Sequence, residues 1–284
     1  MLLSSIVNPF VPGTKGFTIV LREERSSVNT RGGWSPENGG TQMCRMFGIV
    51  AAEARPIAPW LTDAEPSLRS LAIADQSGEA NADGWGIGWY EGEQNAPRVV
   101  KEPVPANESA LYEQTAHSVS ARIALAHVRR SSGSPRVLAN THPFASGPWL
   151  FCHNGYCPGE RLKELLEPDF KDSLLGENDS EVYFAFLRQQ LHASTDPVEA
   201  LRRGVQEVIA LGDFSGLNFL LSDGRSMYAF HYSTDPERHG MYLQHQQNMQ
   251  LVVSEPLGDG AWEWLSNGSM AELTPGACTI TSLV

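Results

Sequence analysis

No apolar run in the 284 residues approaches the roughly 18–20 residues that a membrane-spanning helix requires, so an integral membrane helix is not expected. Basic residues are scarce. Lys and Arg number 21 against 33 Asp and Glu, giving a formal charge of −12. A surface of that sign repels phosphate backbones and anionic lipid, so neither nucleic acid nor membrane is expected as a partner. Four cysteines are too few for a disulfide scaffold in a chain of this length. No internal repeat, low-complexity tract or linker is visible after residue 43. The class expected is a globular cytoplasmic protein with one sizeable core, since 41% of the residues are hydrophobic.

The first 43 residues stand apart. They are rich in turn formers, as in Asn29-Thr-Arg-Gly-Gly-Trp-Ser-Pro-Glu-Asn-Gly-Gly40, and only Gly16–Leu21 has strand character. They read as a disordered leader over 1–43, either a miscalled start or a removable pro-segment, ahead of one domain over 44–284. No secretory signal is expected, because no apolar core precedes a small-residue cleavage site. A second methionine, Met43, stands directly before the first dense apolar segment, Arg45-Met-Phe-Gly-Ile-Val-Ala51.

Beyond it, strands are expected at 85–90, 123–128, 149–153, 217–221, 226–231, 250–253 and 278–283, bounded by Gly, Pro, Asn or Asp. Ser222-Asp-Gly-Arg225 is a hairpin turn signal. Asn178-Asp-Ser-Glu181 has the form of a capping box opening a helix. Asp196-Pro197 opens another, with Leu201, Val205, Val208 and Ile209 on one stripe and Gly212 as its stop. Weaker helical patterns cover 66–74 and 160–166. Strands in runs with helices grouped between them favour α+β with antiparallel sheets.

Several residues could carry chemistry. Removal of Met43 would leave Cys44 with a free α-amine, whose pKa of about 7.7–8.0 suits a general base. Thiol and base would then share one residue. Asn154-Gly155 ends an apolar strand and could aim a side-chain amide and a backbone N–H at one point, as an oxyanion hole needs. Arg129 at a strand end suits a carboxylate, and Asp179 at a helix start suits an ammonium group. His142 could bring an imidazole near the site. Each has a bland counterpart: a buried apolar cysteine, a hairpin turn, an exposed strand-end charge, an N-cap and a structural histidine. The glycines of Asp83-Gly-Trp-Gly-Ile-Gly88 lack the dinucleotide spacing and are read as close backbone approaches, to a substrate or the nucleophile strand. Cys152-His153 and Cys157 lack a second zinc pair, so neither metal nor cofactor is expected.

The order of these pieces is informative. Met-Cys-Arg, Asp-Gly-Trp-Gly, His-x-Arg, Thr-His-Pro-Phe, His-Asn-Gly and Asn-Asp-Ser-Glu occur in succession from 43 to 181. Val253-Ser-Glu-Pro-Leu257 follows near the carboxyl end. Together they resemble a class II glutamine amidotransferase domain, of the stand-alone type that includes the γ-glutamyl amidase of ergothioneine biosynthesis. The resemblance covers the body from residue 43 and not the leader. It implies the four-layer αββα sandwich of amino-terminal nucleophile hydrolases. It also implies Cys44 as nucleophile, Asn154 and Gly155 as oxyanion hole, and Arg129 and Asp179 on the substrate's carboxylate and ammonium. Ser131-Ser132 stands where the family often has Ala-Thr. The implied substrate is glutamine or a γ-glutamyl amide, cleaved by the chain itself or with ammonia passed to a partner enzyme. Two other classes remain open on the sequence: an acylase acting on a different amide, and a non-catalytic binding module retaining the leader.

Overall fold

The computed structural model describes residues 19–20, 43–92, 96–131 and 133–284. The expectation of a disordered leader therefore lies almost wholly outside the described residues. Ile19–Val20 forms a short strand, β1, and Met43 is buried.

Strand β2 (Arg45–Pro56) shows how the sequence builds the layers. Successive side chains of a strand point to opposite faces, so Phe47, Ile49 and Ala51 enter one core while Met46 and Val50 enter another. The chain continues through α1 (Leu68–Ile73), β3 (Trp85–Tyr90), β4 (Pro97–Glu102), α2 (Ala110–Ser118) and β5 (Ser120–Val128). Then come β6 (Phe144–Ser146), β7 (Trp149–Asn154), α3 (Gly159–Glu164), α4 (Pro168–Lys171), α5 (Asp179–His192) and α6 (Pro197–Leu211). The last strands are β8 (Asn218–Ser222), β9 (Met227–His231), β10 (Tyr242–Gln246), β11 (Met249–Val253), β12 (Glu263–Trp264), β13 (Ser269–Thr274) and β14 (Ala277–Ser282).

These strands make two sheets, ordered β1-β4-β3-β5-β2-β11-β10-β12 and β14-β13-β9-β8-β7-β6. All described pairings between these strands are antiparallel except β1 with β4. Met46, Val50 and Leu125 from the first sheet share a core with Leu150, Cys152, Leu220 and Ala229 from the second, so the sheets face each other. The outer face of the first sheet packs on Leu68, Leu71, Tyr112 and Ala116 of α1 and α2. The outer face of the second packs on α5 and α6, through Tyr183, Phe186, Leu187, Leu201, Val205 and Val208. The architecture is thus α+β, a four-layer αββα sandwich.

Two local expectations need correcting. Asn178 caps α5 by accepting from the Ser180 N–H at 2.8 Å, but Glu181 does not complete a capping box. Its buried carboxylate instead accepts from the N–H groups of Leu175 (2.9 Å) and Gly176 (2.7 Å) and so ties down the preceding loop. The glycines of β3 make close approaches to the His142–Pro143 segment and to the facing sheet rather than to the nucleophile strand. A Cβ on Gly86 would lie 2.2 Å from the His142 carbonyl, and one on Gly88 about 3.0 Å from Leu150 of the facing sheet. They let the sheets close and let the His142–Pro143 segment lie across β3.

Candidate active site

Three strand ends meet at one end of the sandwich. Cys44 directly precedes β2, and Arg129 directly follows β5; these strands are paired, with Arg45 opposite Val128. Asn154 ends β7 of the facing sheet. The Cys44 N–H donates to Asn154 Oδ1 at 3.1 Å, linking the two sheets across the site. That bond consumes the amide oxygen and leaves Asn154 Nδ2 buried without a partner. An orphaned buried donor is costly, so its presence beside a thiol is a chemical feature of the site.

Gly155 follows with φ +130°, a left-handed conformation that side chains rarely adopt. A Cβ there would lie 2.2 Å from the Gly216 carbonyl, so the position excludes any larger residue.

The Cys44 thiol is nearly buried. Its Sγ accepts from the Arg130 N–H at 3.3 Å and lies 3.5 Å from the Arg130 carbonyl. Burial pushes its pKa up to about 11, against the opposing pull of the Arg130 N–H and the guanidinium groups of Arg129 and Arg45. At neutral pH it is a thiol, and attack requires a base.

Arg129 is 2% exposed, so the exposed-charge alternative fails. Its hydrogen bonds run to Asp83 O, Pro135 O, Ser131 Oγ, Ser134 O and Ser134 Oγ, none of them a carboxylate. Burial pulls its pKa below the ordinary arginine value, with Cys44, Asp83 and Asp179 acting in the opposite sense. Asp179 is the first residue of α5 rather than its cap, and its Oδ2 accepts from the Cys157 N–H at 3.0 Å. Ser131 also donates its N–H to Asp83 Oδ2 at 2.7 Å, while Ser132 lies outside the described residues.

His142 is 2% exposed, and both ring nitrogens lack partners. It stacks on His127 with centroids 4.2 Å apart. His127 Nε2 in turn faces the His153 carbonyl at 3.2 Å. His153 lies between Ser180 Oγ (2.8 Å) and the Gly216 carbonyl (3.1 Å), a setting that places its proton on Nε2. Burial lowers the pKa of all three, that of His127 to about 3. They are neutral imidazoles.

Cys44, Arg129, His142, Gly155 and Asp179 all line one small cavity of about 20 Å³, together with His153. With Asn154 at the Cys44 nitrogen, the structure brings all six nominated residues together. It adds two groups that sequence reasoning did not nominate. Arg45 turns away from the thiol into a buried clamp, with Glu255 at 2.6 Å, Asp75 at 2.8 Å and the Cys44 carbonyl at 3.0 Å. Ser254 Oγ accepts from the Met46 N–H at 2.8 Å. The Ser254-Glu255 motif, legible in the sequence without a role, thus anchors the first two residues of β2. Lys101 Nζ is buried between the carbonyls of Thr141 (2.5 Å) and Pro143 (3.4 Å), holding the His142 segment, and burial lowers its pKa to about 8. Nothing in the sequence around Lys101 signals this. Among the described residues no group of three or more His, Cys, Asp or Glu could hold a metal ion.

Comparison with known proteins identifies the family. The family model for class II glutamine amidotransferases matches residues 43–237. The chain belongs to this family. A gamma-glutamyl-hercynylcysteine sulfoxide hydrolase of Mycobacterium tuberculosis is 32% identical over 246 residues, covering 85% of this chain and 97% of that protein. An uncharacterized protein of Methanocaldococcus jannaschii is 30% identical over 197 residues, and the match spans 66% of this chain but only 50% of that relative. Among solved structures, a glutamine aminotransferase class-II domain protein from Silicibacter pomeroyi superposes with a TM-score of 0.63 at 25% identity, over 84% of this chain and 99% of that one. Glutamine phosphoribosylpyrophosphate amidotransferase of B. subtilis shares the fold at 18% identity, with a TM-score of 0.62 over 85% of this chain and 49% of that one. As a member of this family the chain is an enzyme of the hydrolase or amidotransferase type. No helix among the described residues is long and apolar enough to cross a membrane.

Proposed function

We propose that the chain hydrolyses the γ-amide of a γ-glutamyl compound through a thioester on Cys44, in a form that begins at Cys44. The observation that carries this reading is the buried, unpartnered Asn154 amide beside the Cys44 thiol. With residue 43 attached, the Cys44 nitrogen is an amide with no basic lone pair. Once freed, the α-amine takes the thiol proton, and Sγ attacks the γ-carbonyl carbon. Asn154 Nδ2 and the Gly155 N–H hold the resulting oxyanion. The amine then returns the proton to the departing nitrogen, the C–N bond breaks, and a γ-glutamyl thioester remains. Water, deprotonated by the same amine, releases glutamate and regenerates the thiol.

Arg129 and Asp179 fit the α-carboxylate and α-ammonium of the glutamyl group, and His142 contributes a neutral wall. A cavity of about 20 Å³ holds roughly one water, so the glutamyl group enters only if its carboxylate displaces Ser131 and Ser134 from Arg129. The exchange replaces neutral acceptors with a charged one, which favours it. No step calls for a cofactor. The name of the M. tuberculosis relative supports hydrolysis of a γ-glutamyl compound over transfer of ammonia to a partner enzyme. The test is glutamate release from glutamine and γ-glutamyl compounds by protein beginning at Cys44, with no acceptor added. Activity lost in Cys44→Ala is expected. Turnover by protein that retains residue 1, or strict dependence on a partner, would overturn the reading.

A further inference from the structure

The buried cluster of Arg45, Asp75 and Glu255 touches none of the reacting atoms. Resting on the amidase reading above, we propose that these three side chains are positioning residues, which hold the freed amino terminus of Cys44 so that its α-amine stays within reach of the thiol.

The need for such a device arises when residue 43 is removed. With it attached, Cys44 is held on both sides, because the Met43 side chain is itself buried. Without it, Cys44 is a chain end, and chain ends fray unless they are tied down. A base must lie about 2.6–3.2 Å from the proton it takes, and a misplacement of about 1 Å can lower the rate about 10²-fold. The pairing of β2 with β5 does not reach Cys44, since its last rung joins Arg45 to Val128. The main chain of Cys44 is instead held at two points: its nitrogen by Asn154 Oδ1 (3.1 Å) and its carbonyl by Arg45 Nη1 (3.0 Å).

The clamp has the geometry for this task. Each nitrogen of the Arg45 fork has its own partner: Nε donates to Glu255 at 2.6 Å, Nη2 meets Asp75 at 2.8 Å, and Nη1 is left for the Cys44 carbonyl. The carboxylates are held in turn. Asp75 Oδ1 accepts from Ser77 N–H (2.9 Å), Ser77 Oγ (2.6 Å) and Glu79 N–H (3.1 Å), and Glu255 Oε1 accepts from Gln76 N–H (3.0 Å). Stability alone is a poor reason for the cluster. Burying three charges carries a large desolvation penalty, and apolar side chains of equal volume often pack as well or better. Apolar side chains cannot grip a carbonyl oxygen, and lysine, a single point charge, cannot serve three partners in one plane.

One guanidinium on two carboxylates also leaves a formal charge of −1 next to the new terminus. The other charged groups on the elements packed around Cys44 are Arg129, Arg130, Asp83 and Asp179, beside the neutral rings of His142 and His153. Replacing one carboxylate of the clamp by an amide leaves all of these in place. It removes a negative charge that favours the ammonium form, so the α-amine should lose its proton at lower pH.

The experiment measures glutamate release from glutamine across pH 6–9 by protein beginning at Cys44, with Arg45→Lys, Glu255→Gln and Asp75→Asn alongside it. Arg45→Lys keeps the charge and loses the fork. It should lower kcat about tenfold or more, change KM less than about threefold, and leave the inflection of the pH–rate profile where it is. Glu255→Gln and Asp75→Asn should each move that inflection to lower pH by roughly half a pH unit or more. A purely structural cluster would lower the urea midpoint and leave the inflection unmoved. An unmoved inflection in both carboxamide variants, or an Arg45→Lys protein whose loss is confined to KM or that keeps full kcat, would overturn the proposal and leave the amidase reading intact. No glutamate release by the unsubstituted protein would overturn the amidase reading and this one with it. If Arg45→Lys does not fold, the carboxamide variants decide the question alone.

Discussion

Asn154 shows what a single side chain does at this site. One end of its amide is fixed by the Cys44 N–H, and the other is buried and unpartnered. Under the proposed mechanism, replacing it by Ala removes one of two donors to the developing oxyanion, and kcat should fall about 10²–10³-fold with KM little changed. Steady-state kinetics on protein beginning at Cys44 would check this, and a loss confined to KM would speak against the role. The Cys44 thiol, with its pKa pushed up to about 11, sets the pH dependence. In the proposed mechanism the thiol gives up its proton only to a neutral α-amine, so kcat/KM should rise with pH through the α-amine pKa of about 7.7–8.0 and fall below it. A pH–rate profile flat from 6 to 9 would be inconsistent with that base.

At the scale of elements, α6 and α5 show two uses of a helix start. Asp196 accepts from the N–H groups of Val198 and Glu199, next to Pro197 in the first turn, and this end serves stability alone. Asp196→Ala should cost about 1 kcal/mol, or about 2–4 °C in Tm, with activity unchanged. Differential scanning calorimetry beside the glutaminase assay would test it. The start of α5, by contrast, delivers Asn178, Asp179 and Ser180 to the nucleophile's cavity. Its cap was legible because Asn before a periodic apolar stretch has a local cause. The destination of Glu181 was not, because the loop it ties down is fixed by the Asn140 neighbourhood, where Asn140 Oδ1 takes the Glu177 N–H at 2.9 Å. Strands followed the same rule. The apolar β3, β7 and β11 were readable. Pro97-Arg-Val-Val-Lys-Glu102 and Tyr242-Leu-Gln-His-Gln246 were not, because their polar residues break the pattern that a strand borrows from its neighbours.

At the scale of the whole molecule, the buried histidines tie stability to pH. Burial lowers His127 to about 3 and His239 to about 4, with His142 and His153 also lowered. For a depressed histidine, the stabilising contribution is complete above the unfolded value of about 6.5. It is lost as pH falls towards the folded value, because only the unfolded chain takes up the proton. His127 and His239 should each remove about 1.4 kcal/mol per pH unit between about 6.5 and 4, with His142 and His153 acting in the same direction. The urea midpoint should therefore drop clearly between pH 7 and pH 5. An unchanged midpoint over that interval would contradict the neutral, buried state of these rings.

The sequence by itself determined the α+β class, the helix ends at Asn178, Asp196 and Gly212, and the identity of the residues that converge on Cys44. These follow from local causes: capping chemistry, alternation along strands, and motif order. Tertiary structure alone decided what those residues do to one another. The Asn154 amide is oriented by a nitrogen 110 positions away in sequence, on the opposite sheet. Arg45 is held by Asp75 and by Glu255, which lies 210 positions away. Glu79 is shared by Arg130 and Arg238, and Asp83 pairs with Arg136. Such pairings depend on how two sheets are stacked and registered, and no local pattern of residues encodes that distance.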